Sequence, residues 1–386
     1  MVAWLFGAVL IVSLCLLGFH YVGYPLSLFA LLSLSSTERA EPEGELTERP
    51  DVSLIVAAHN EVDVIERKLA NVSQTEYGGN FECIVVSDST DETDALVKRH
   101  AGPKTRLLAL DERRGKSFAL NRAVSEATGD ILVFSDANTT FDPNTISRLV
   151  EPFADPSVGC TTGRLNLLDA EGKTTESLYW TYELWIRALE AQLGTTVGVN
   201  GGVLAVRANA YSPIPNDALV DDLFVALQQI ETGRRVVYVP DAQAREYTTG
   251  SLWDEYTRRV RIGTGNYQAL VRFANLLNPT RGMVAFEFFS HKVLRWFAPG
   301  LLVVALASNL ALVATTQTRL GTGFLVLQAT CYAFAAIGLS SARAREFAPF
   351  SIPAYYLGMN VALFVGLWNF VNGGNYTVWK STPRNE

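Results

Sequence analysis

Charged residues are missing from four long stretches of this chain. Met1 to Thr37, Phe297 to Thr318, Leu320 to Ala342 and Phe347 to Trp379 contain no Asp, Glu, Lys or Arg. Each exceeds the roughly 20 helical residues that cross a hydrocarbon core about 30 Å thick. Between the first and the second lies a charged, mixed segment, Glu38 to Trp296. The pattern is that of a membrane protein with one large hydrophilic domain. The first stretch lacks a basic leading region and is far longer than the apolar part of a secretion signal, so it is expected to stay as an anchor.

The net charge of −7 gives no basic footprint, which argues against nucleic acid as a partner. The four cysteines, Cys15, Cys83, Cys160 and Cys331, are scattered and form no C-x-x-C spacing, so neither a zinc site nor a disulfide framework is expected.

The hydrophilic segment opens with an acidic linker, Glu38 to Asp51, containing Pro42, Gly44 and Pro50. After it, apolar runs alternate with helical stretches. "DVSLIVAAHNE" precedes a helix over Val62 to Val72, "FECIVVSDSTDET" a helix opened by Thr90 or Asp91, and "TRLLAL" the amphipathic "RRGKSFALNRAVSEATG". A fourth run, "GDILVFSDANTTFDP", comes next. Such alternation predicts an α/β domain with a mostly parallel sheet and crossover helices. Parallel sheets bind ligands beyond the carboxyl ends of their strands, which brings Asn60, Glu61, Asp88, Asp136 and Asn138 to one edge. No G-x-G-x-x-G succeeds the first strand and no P-loop pattern occurs, so the usual dinucleotide and P-loop fingerprints are absent. Asp136, with a second oxygen donor at Asn138, suits a hard cation such as Mg²⁺ or Mn²⁺. The competing reading is a capped turn, since Asp and Asn dominate turns.

Seven motifs run along the chain in the order "VSLIVAAHNE", "VVSDSTDET", "GKSFALNRA", "FSDAN", "GVNGGVLAVRANAY", "LVDDLFVALQQIETGRRVVYVPDAQAREY" and "YTRRVRIGTGNYQAL". In that order, from about Val52 to Gln268, the chain resembles the membrane-integrated family 2 glycosyltransferases (cellulose synthase, hyaluronan synthase and the poly-N-acetylglucosamine synthases). The resemblance implies a GT-A-like, Rossmann-type nucleotide-sugar domain inserted between transmembrane helices, and an inverting hexosyltransferase that uses a UDP-sugar and Mg²⁺ or Mn²⁺. It assigns Ala57, Asn60, Glu61, Asp88, Lys116 and Asp136 to the nucleotide sugar, Asp136 and Asn138 to the metal, and Gly201, Gly202 and Gln268 to the acceptor side. Asp222 becomes the catalytic base beside Asp221, with Arg258 and Arg261 as donors to the phosphates. Read without the resemblance, Asp222 is a helix N-cap, and Tyr256 to Gln268 is a basic amphipathic helix on a membrane surface.

Three departures stand out. Asn138 replaces the usual second Asp, Asp221-Asp222 replaces Glu-Asp, and Arg258 to Ile262 replaces Gln-x-x-Arg-Trp. The missing Trp weakens the case for processive polymerisation. The expected product is a growing glycan or polysaccharide; the alternative is one sugar added to a lipid-linked saccharide. A scaffold or transporter would not need the Asp136 and Asp222 set. His59 reads as a spacer, because a lone His lacks the partner geometry of a base. The aromatic helix Tyr179 to Glu190 reads as packing rather than sugar stacking.

The expected organisation is an anchor at 1–37, a glycosyltransferase domain at 38–250, interfacial helices at 251–296 including a collar at "HKVLRW", about three apolar segments at 297–379, and a tail. UDP-sugars are cytosolic, so the resemblance implies an inner-membrane protein, with the lipid bilayer as a partner and the catalytic domain facing the cytosol. Arg343 and Arg345 then obey the positive-inside rule. Length favours a full crossing by the last segment. Against that, "WKSTPR" resembles a cytosolic Trp-x-x-Thr-x-Arg element of hyaluronan synthases, and Pro349, Pro353, Gly373 and Gly374 interrupt the segment.

Overall fold

The computed structural model describes residues 2–34, 44, 46–169, 171–174, 178–247 and 252–373. Half of the linker Glu38 to Asp51 and the whole tail motif Trp379 to Arg384 lie outside the described residues. The chain divides into two compact units. One holds the chain up to Ser27, then Glu255–Leu270 and the segment from Phe288 through the last helix; the other holds Leu28–Asp254 and Val271–Glu287. The chain starts with α1 (Val2–Gly18), which runs through a π-helical turn at Phe19–Gly23 into α2 (Tyr24–Leu34).

The second unit is built on a sheet that has eight strands among the described residues. In chain order its elements are β1 (Val52–Ala58), α3 (Ile65–Ser73), β2 (Phe81–Ser87), α4 (Thr93–His100), β3 (Thr105–Ala109), α5 (Lys116–Val124), β4 (Ile131–Asp136), β5 (Thr140–Phe141), α6 (Thr145–Val150), β6 (Val158–Leu168), α7 (Leu178–Leu193), β7 (Leu204–Arg207), α8 (Asp221–Glu231) and β8 (Arg235–Tyr247). The spatial order is β3-β2-β1-β4-β7-β6-β8-β5. The first four strands are parallel, as the alternating pattern predicts, while β7 and β5 run antiparallel to their neighbours. Every residue of β1 is buried, because a strand inside such a sheet is covered on both faces. The register sets Ala57 beside both Val86 and Asp136. The carboxyl ends of β1, β2 and β4 are thus level, and the residues just past them share one edge.

The other unit is helical. It takes most of α9 (Leu252–Arg272); beyond α10 (Met283–Glu287) and a π-helical turn at Phe288–Val293 come α11 (Leu294–Thr316), α12 (Arg319–Ser340) and α13 (Ala348–Val371). Among the described residues, four helical runs are long and apolar enough to cross a membrane: Ala3–Leu34, Met283–Thr316, Arg319–Ser340 and Ala348–Val371. The second begins earlier than charge alone suggests. Within the expected collar, His291 and Trp296 are packed inside the unit. Arg295 Nε donates to His20 Nε2 at 3.2 Å, so His20 Nδ1 donates to the Ser290 carbonyl at 2.8 Å. Buried intramembrane polar groups require such partners.

The last helix packs against other helices of this unit at several points along its length. Its first turns pack on the end of α12, where a Cβ on Gly338 would come within 2.8 Å of Ala354 Cβ. Farther along, a Cβ on Gly366 would lie 2.8 Å from the Thr264 nitrogen, a close crossing that small residues permit. Near its end, Phe370 stacks on Tyr267 with ring centroids 6.3 Å apart. Tyr267 also meets Phe297 and donates its hydroxyl hydrogen to the Trp296 carbonyl. The final turn of α13 therefore lies beside the first turn of α11.

Candidate active site

Two local conformations shape the strand ends. Gly115 has φ +93° immediately before α5, a conformation glycine adopts without steric cost, and it turns Lys116 into the sheet edge. Asn60 adopts φ +55° after β1, which Asn tolerates better than most residues. Its Oδ1 accepts from the Thr90 amide at 2.8 Å, and the Glu61 amide donates to Thr93 Oγ1 at 2.9 Å. These contacts stitch the loop after β1 to the loop after β2. The adjacent cleft is lined by Ala57, Ala58, His59, Asp88, Arg113, Gly115, Lys116 and Ala119. Ala57, Asp88 and Lys116 thus come together as expected, whereas Asn60 and Glu61 hold the loops beside them.

Lys116 is the centre of the charged cluster. Its Nζ lies 2.8 Å from Asp136 Oδ1 and 3.2 Å from Asp221 Oδ2. Burial alone would depress the amine pKa, but Asp136 and Asp221 outweigh it and hold the ammonium form well above its usual range. Asp221 and Asp222 open α8, and Asp222 Oδ1 accepts from the Leu223 amide at 2.8 Å. Asp222 is therefore inside the first helical turn, with Val220 at the N-cap position. This corrects the cap reading. Desolvation first, and the like charge of Asp221 second, push the Asp222 carboxyl pKa up, as expected for a carboxylate out of water beside another. Gly201 faces it: a Cβ there would lie 3.2 Å from Asp222 Cβ. A Cβ on Gly202 would lie 2.8 Å from Thr139 Oγ1. The glycine pair thus connects Asp222 to the turn that carries Asp136 and Asn138.

The donor set at that turn fits a cation held by one protein carboxylate. Asp136 is partly exposed at the strand end, with 28 % of its side chain accessible. Asn138 is buried, and its amide nitrogen has no hydrogen-bond partner. Among the described residues no group of three or more His, Cys, Asp and Glu could hold a metal by protein ligands alone. A Mg²⁺ or Mn²⁺ here would need substrate phosphates to complete its shell, which is the usual manner for Mg²⁺.

Three residues escaped the sequence reading. His59 is no spacer: its Nδ1 lies 2.7 Å from Asp88 Oδ1, with both side chains at least nine-tenths buried. Arg113 lines the cleft, and nothing in "RRGKS" distinguishes it from its neighbours. Lys68 is buried beneath the Asp136 turn. The available signal was its position on the apolar stripe of α3, between Ile65 and Leu69–Val72.

Arg258, Arg261 and Gln268 lie on α9 in the helical unit. Arg258 grips Glu255 Oε2 through Nε at 2.9 Å and Nη2 at 2.7 Å. Arg259 takes the other oxygen of the same carboxylate. The aromatic helix α7 serves packing: Trp180 Nε1 donates to the Leu165 carbonyl, and Arg187 lies over the Trp180 ring.

Residues 53–211 match the family model described as Glycosyl transferase family 2. An N-acetylglucosaminyltransferase of Mesorhizobium japonicum is 24 % identical over 78 % of this chain and 75 % of its own length. A poly-beta-1,6-N-acetyl-D-glucosamine synthase of Staphylococcus aureus is 27 % identical over 60 % of this chain and 58 % of its own length. Among solved structures, the mannosyltransferase PcManGT of Pyrobaculum calidifontis, in complex with GDP-Man and Mn²⁺, superposes with a TM-score of 0.71 at 22 % identity. The match covers 94 % of this chain and 99 % of that one.

Proposed function

We propose, on the premise that this chain is a family 2 glycosyltransferase, that it moves N-acetylglucosamine from its UDP-sugar, with inversion, onto a growing glycan at the membrane. The sugar rests on the relatives, which are named for N-acetylglucosamine transfer and poly-N-acetylglucosamine synthesis; the uridine nucleotide rests on the resemblance of the strand-end motifs alone. The observation that carries the chemistry is the gathering of Asp136, Asp221 and Asp222 about Lys116, with Gly201 against Asp222. Asp222, its pKa raised, takes the proton of the acceptor hydroxyl as that oxygen bonds to the anomeric carbon. The bond to the diphosphate breaks and UDP leaves. Asp136 would hold a Mg²⁺ or Mn²⁺, which supplies Lewis acidity to the departing diphosphate. Lys116 adds a fixed positive charge near the same oxygens. Ala57 and the His59–Asp88 pair line the cleft for the nucleoside. Nucleotide sugars are cytosolic, so the sheet unit faces the cytosol and the apolar helices sit in the inner membrane.

Membranes carrying the protein, incubated with radiolabelled UDP-N-acetylglucosamine and with a panel of other nucleotide sugars, test this reading. Label should enter a macromolecular product only from the first, and EDTA should abolish incorporation. Transfer from GDP-mannose alone would replace the donor assignment.

One observation favours a second reading, a single sugar added to a lipid-linked saccharide. Arg258 and Arg259, standing where polymerases carry Gln-x-x-Arg-Trp, are engaged with Glu255. A short product soluble in organic solvent, rather than a long polymer, would select it.

A further inference from the structure

Lys68 is 2 % exposed, on a face of α3 shared with buried Ile65, Leu69 and Val72. Taking an ammonium out of water costs several kcal/mol after relaxation, and burial pushes this amine's pKa down to about 8 against the opposing pull of Cys83 and Asp136. A methionine would fill the same space without that cost. What the amine adds is its bonds. Nζ donates to Ser135 Oγ at 2.7 Å and to the Thr139 carbonyl at 2.7 Å, and it lies 4.5 Å from the centre of the Phe141 ring. Ser135 and Thr139 flank Asp136-Ala137-Asn138 on either side. The turn itself is closed by the Thr139 amide donating to the Asp136 carbonyl at 3.2 Å, and Gly202 packs on Thr139.

We propose that Lys68 is a positioning residue: it clamps both ends of the Ser135–Thr139 turn from inside the domain and so aims the Asp136 carboxylate at the donor diphosphate. The aim toward a diphosphate rests on the glycosyl-transfer reading; the clamp does not.

Lys68→Met in the full-length protein, purified in detergent, tests both parts. Hydrogen exchange measured without metal or nucleotide should speed at the amides of Asp136–Thr140 by about tenfold or more, with β1 and β2 unchanged. The Mn²⁺ concentration giving half-maximal UDP binding should rise by about tenfold, that is about 1.4 kcal/mol. A merely structural lysine would instead lower the melting temperature and loosen the whole sheet together. Unchanged exchange at the turn in folded Lys68→Met overturns the clamp. If that variant does not fold, Ser135→Ala decides: it keeps the amine and removes one anchor, so faster exchange at the turn supports the clamp and wild-type exchange overturns it. Wild-type protein that binds no UDP with Mn²⁺ would remove the diphosphate reading, while the exchange measurement still decides the clamp.

Discussion

The ammonium of Lys116 stands 2.8 Å from Asp136 Oδ1, so the carboxylate assigned to a metal already has a cation. Lys116 and a free divalent ion must then repel one another, while both attract a diphosphate. Unit charges a few ångströms apart near a protein surface interact by a few kcal/mol. Lys116→Met is expected to tighten binding of Mn²⁺ alone, about tenfold, and to weaken binding of UDP. Electron paramagnetic resonance of free Mn²⁺ and calorimetry with UDP read the two effects separately. Weaker binding of both would mean that Lys116 orders Asp136 rather than competing at it.

As the proposed base, Asp222 must be ionised to accept a proton, so activity should fall as pH drops through its pKa. Burial and Asp221 raise that pKa above the ordinary aspartate value of about 3.9. The acidic limb of kcat/KM should therefore lie at higher pH than an unperturbed aspartate would give. Asp221→Asn removes the like charge and should move the limb to lower pH. Asp222→Asn should lower turnover by about 100-fold or more, the scale of a lost general base, with UDP affinity preserved. Normal turnover in that variant would assign proton transfer elsewhere.

His59 and Asp88 form a buried pair at 2.7 Å. Hydrogen bonds to charged groups contribute about 1.5–3 kcal/mol, so His59→Ala should weaken UDP binding by about tenfold or more through loss of Asp88 alignment. In a double-mutant cycle, His59→Ala with Asp88→Asn should cost no more than the worse single change. Additive losses would separate the two residues' roles.

The final turn of α13 lies beside Tyr267, which bonds the Trp296 carbonyl at the start of α11. We expect the chain beyond it to emerge on the side where α11 begins. Ser381→Cys should resist an impermeant thiol reagent on intact cells and react after lysis. Labelling from outside would instead establish a full crossing by the last helix.

The order of strands and helices around β1 to β4 was legible because each strand is buried on both faces and must be a short apolar run. The first carboxylate after each run then marks the sheet's edge, which is how Asp88 and Asp136, each following a serine, stood out. Helix starts were displaced by a few residues: α3 begins at Ile65 and α4 at Thr93, because capping is decided by loop hydrogen bonds such as Thr93 to Asp91. The strand β7 lies within the motif "GVNGGVLAVRANAY", but its antiparallel direction carried no signal, since pairing direction depends on the path of the chain rather than on side-chain pattern.

By itself, then, the sequence determined which segments are apolar, which carboxylates come after strands and in what order the motifs run, because hydrophobic period and turn chemistry are local. Tertiary structure alone decided who meets whom. Lys116 joins Asp136 and Asp221 from elements far apart in the chain. His59 acquires Asp88 through the parallel pairing of β1 with β2. Lys68 looks like any lysine on a helix until its environment is known, since a long side chain can either reach water along an apolar face or be sealed in; here Ser135, Thr139 and Phe141 seal it in. Hydropathy, likewise, counts the residues of α13 but says nothing of the direction in which they run, which is set by the close packing of Gly338 on Ala354 and of Gly366 on Thr264.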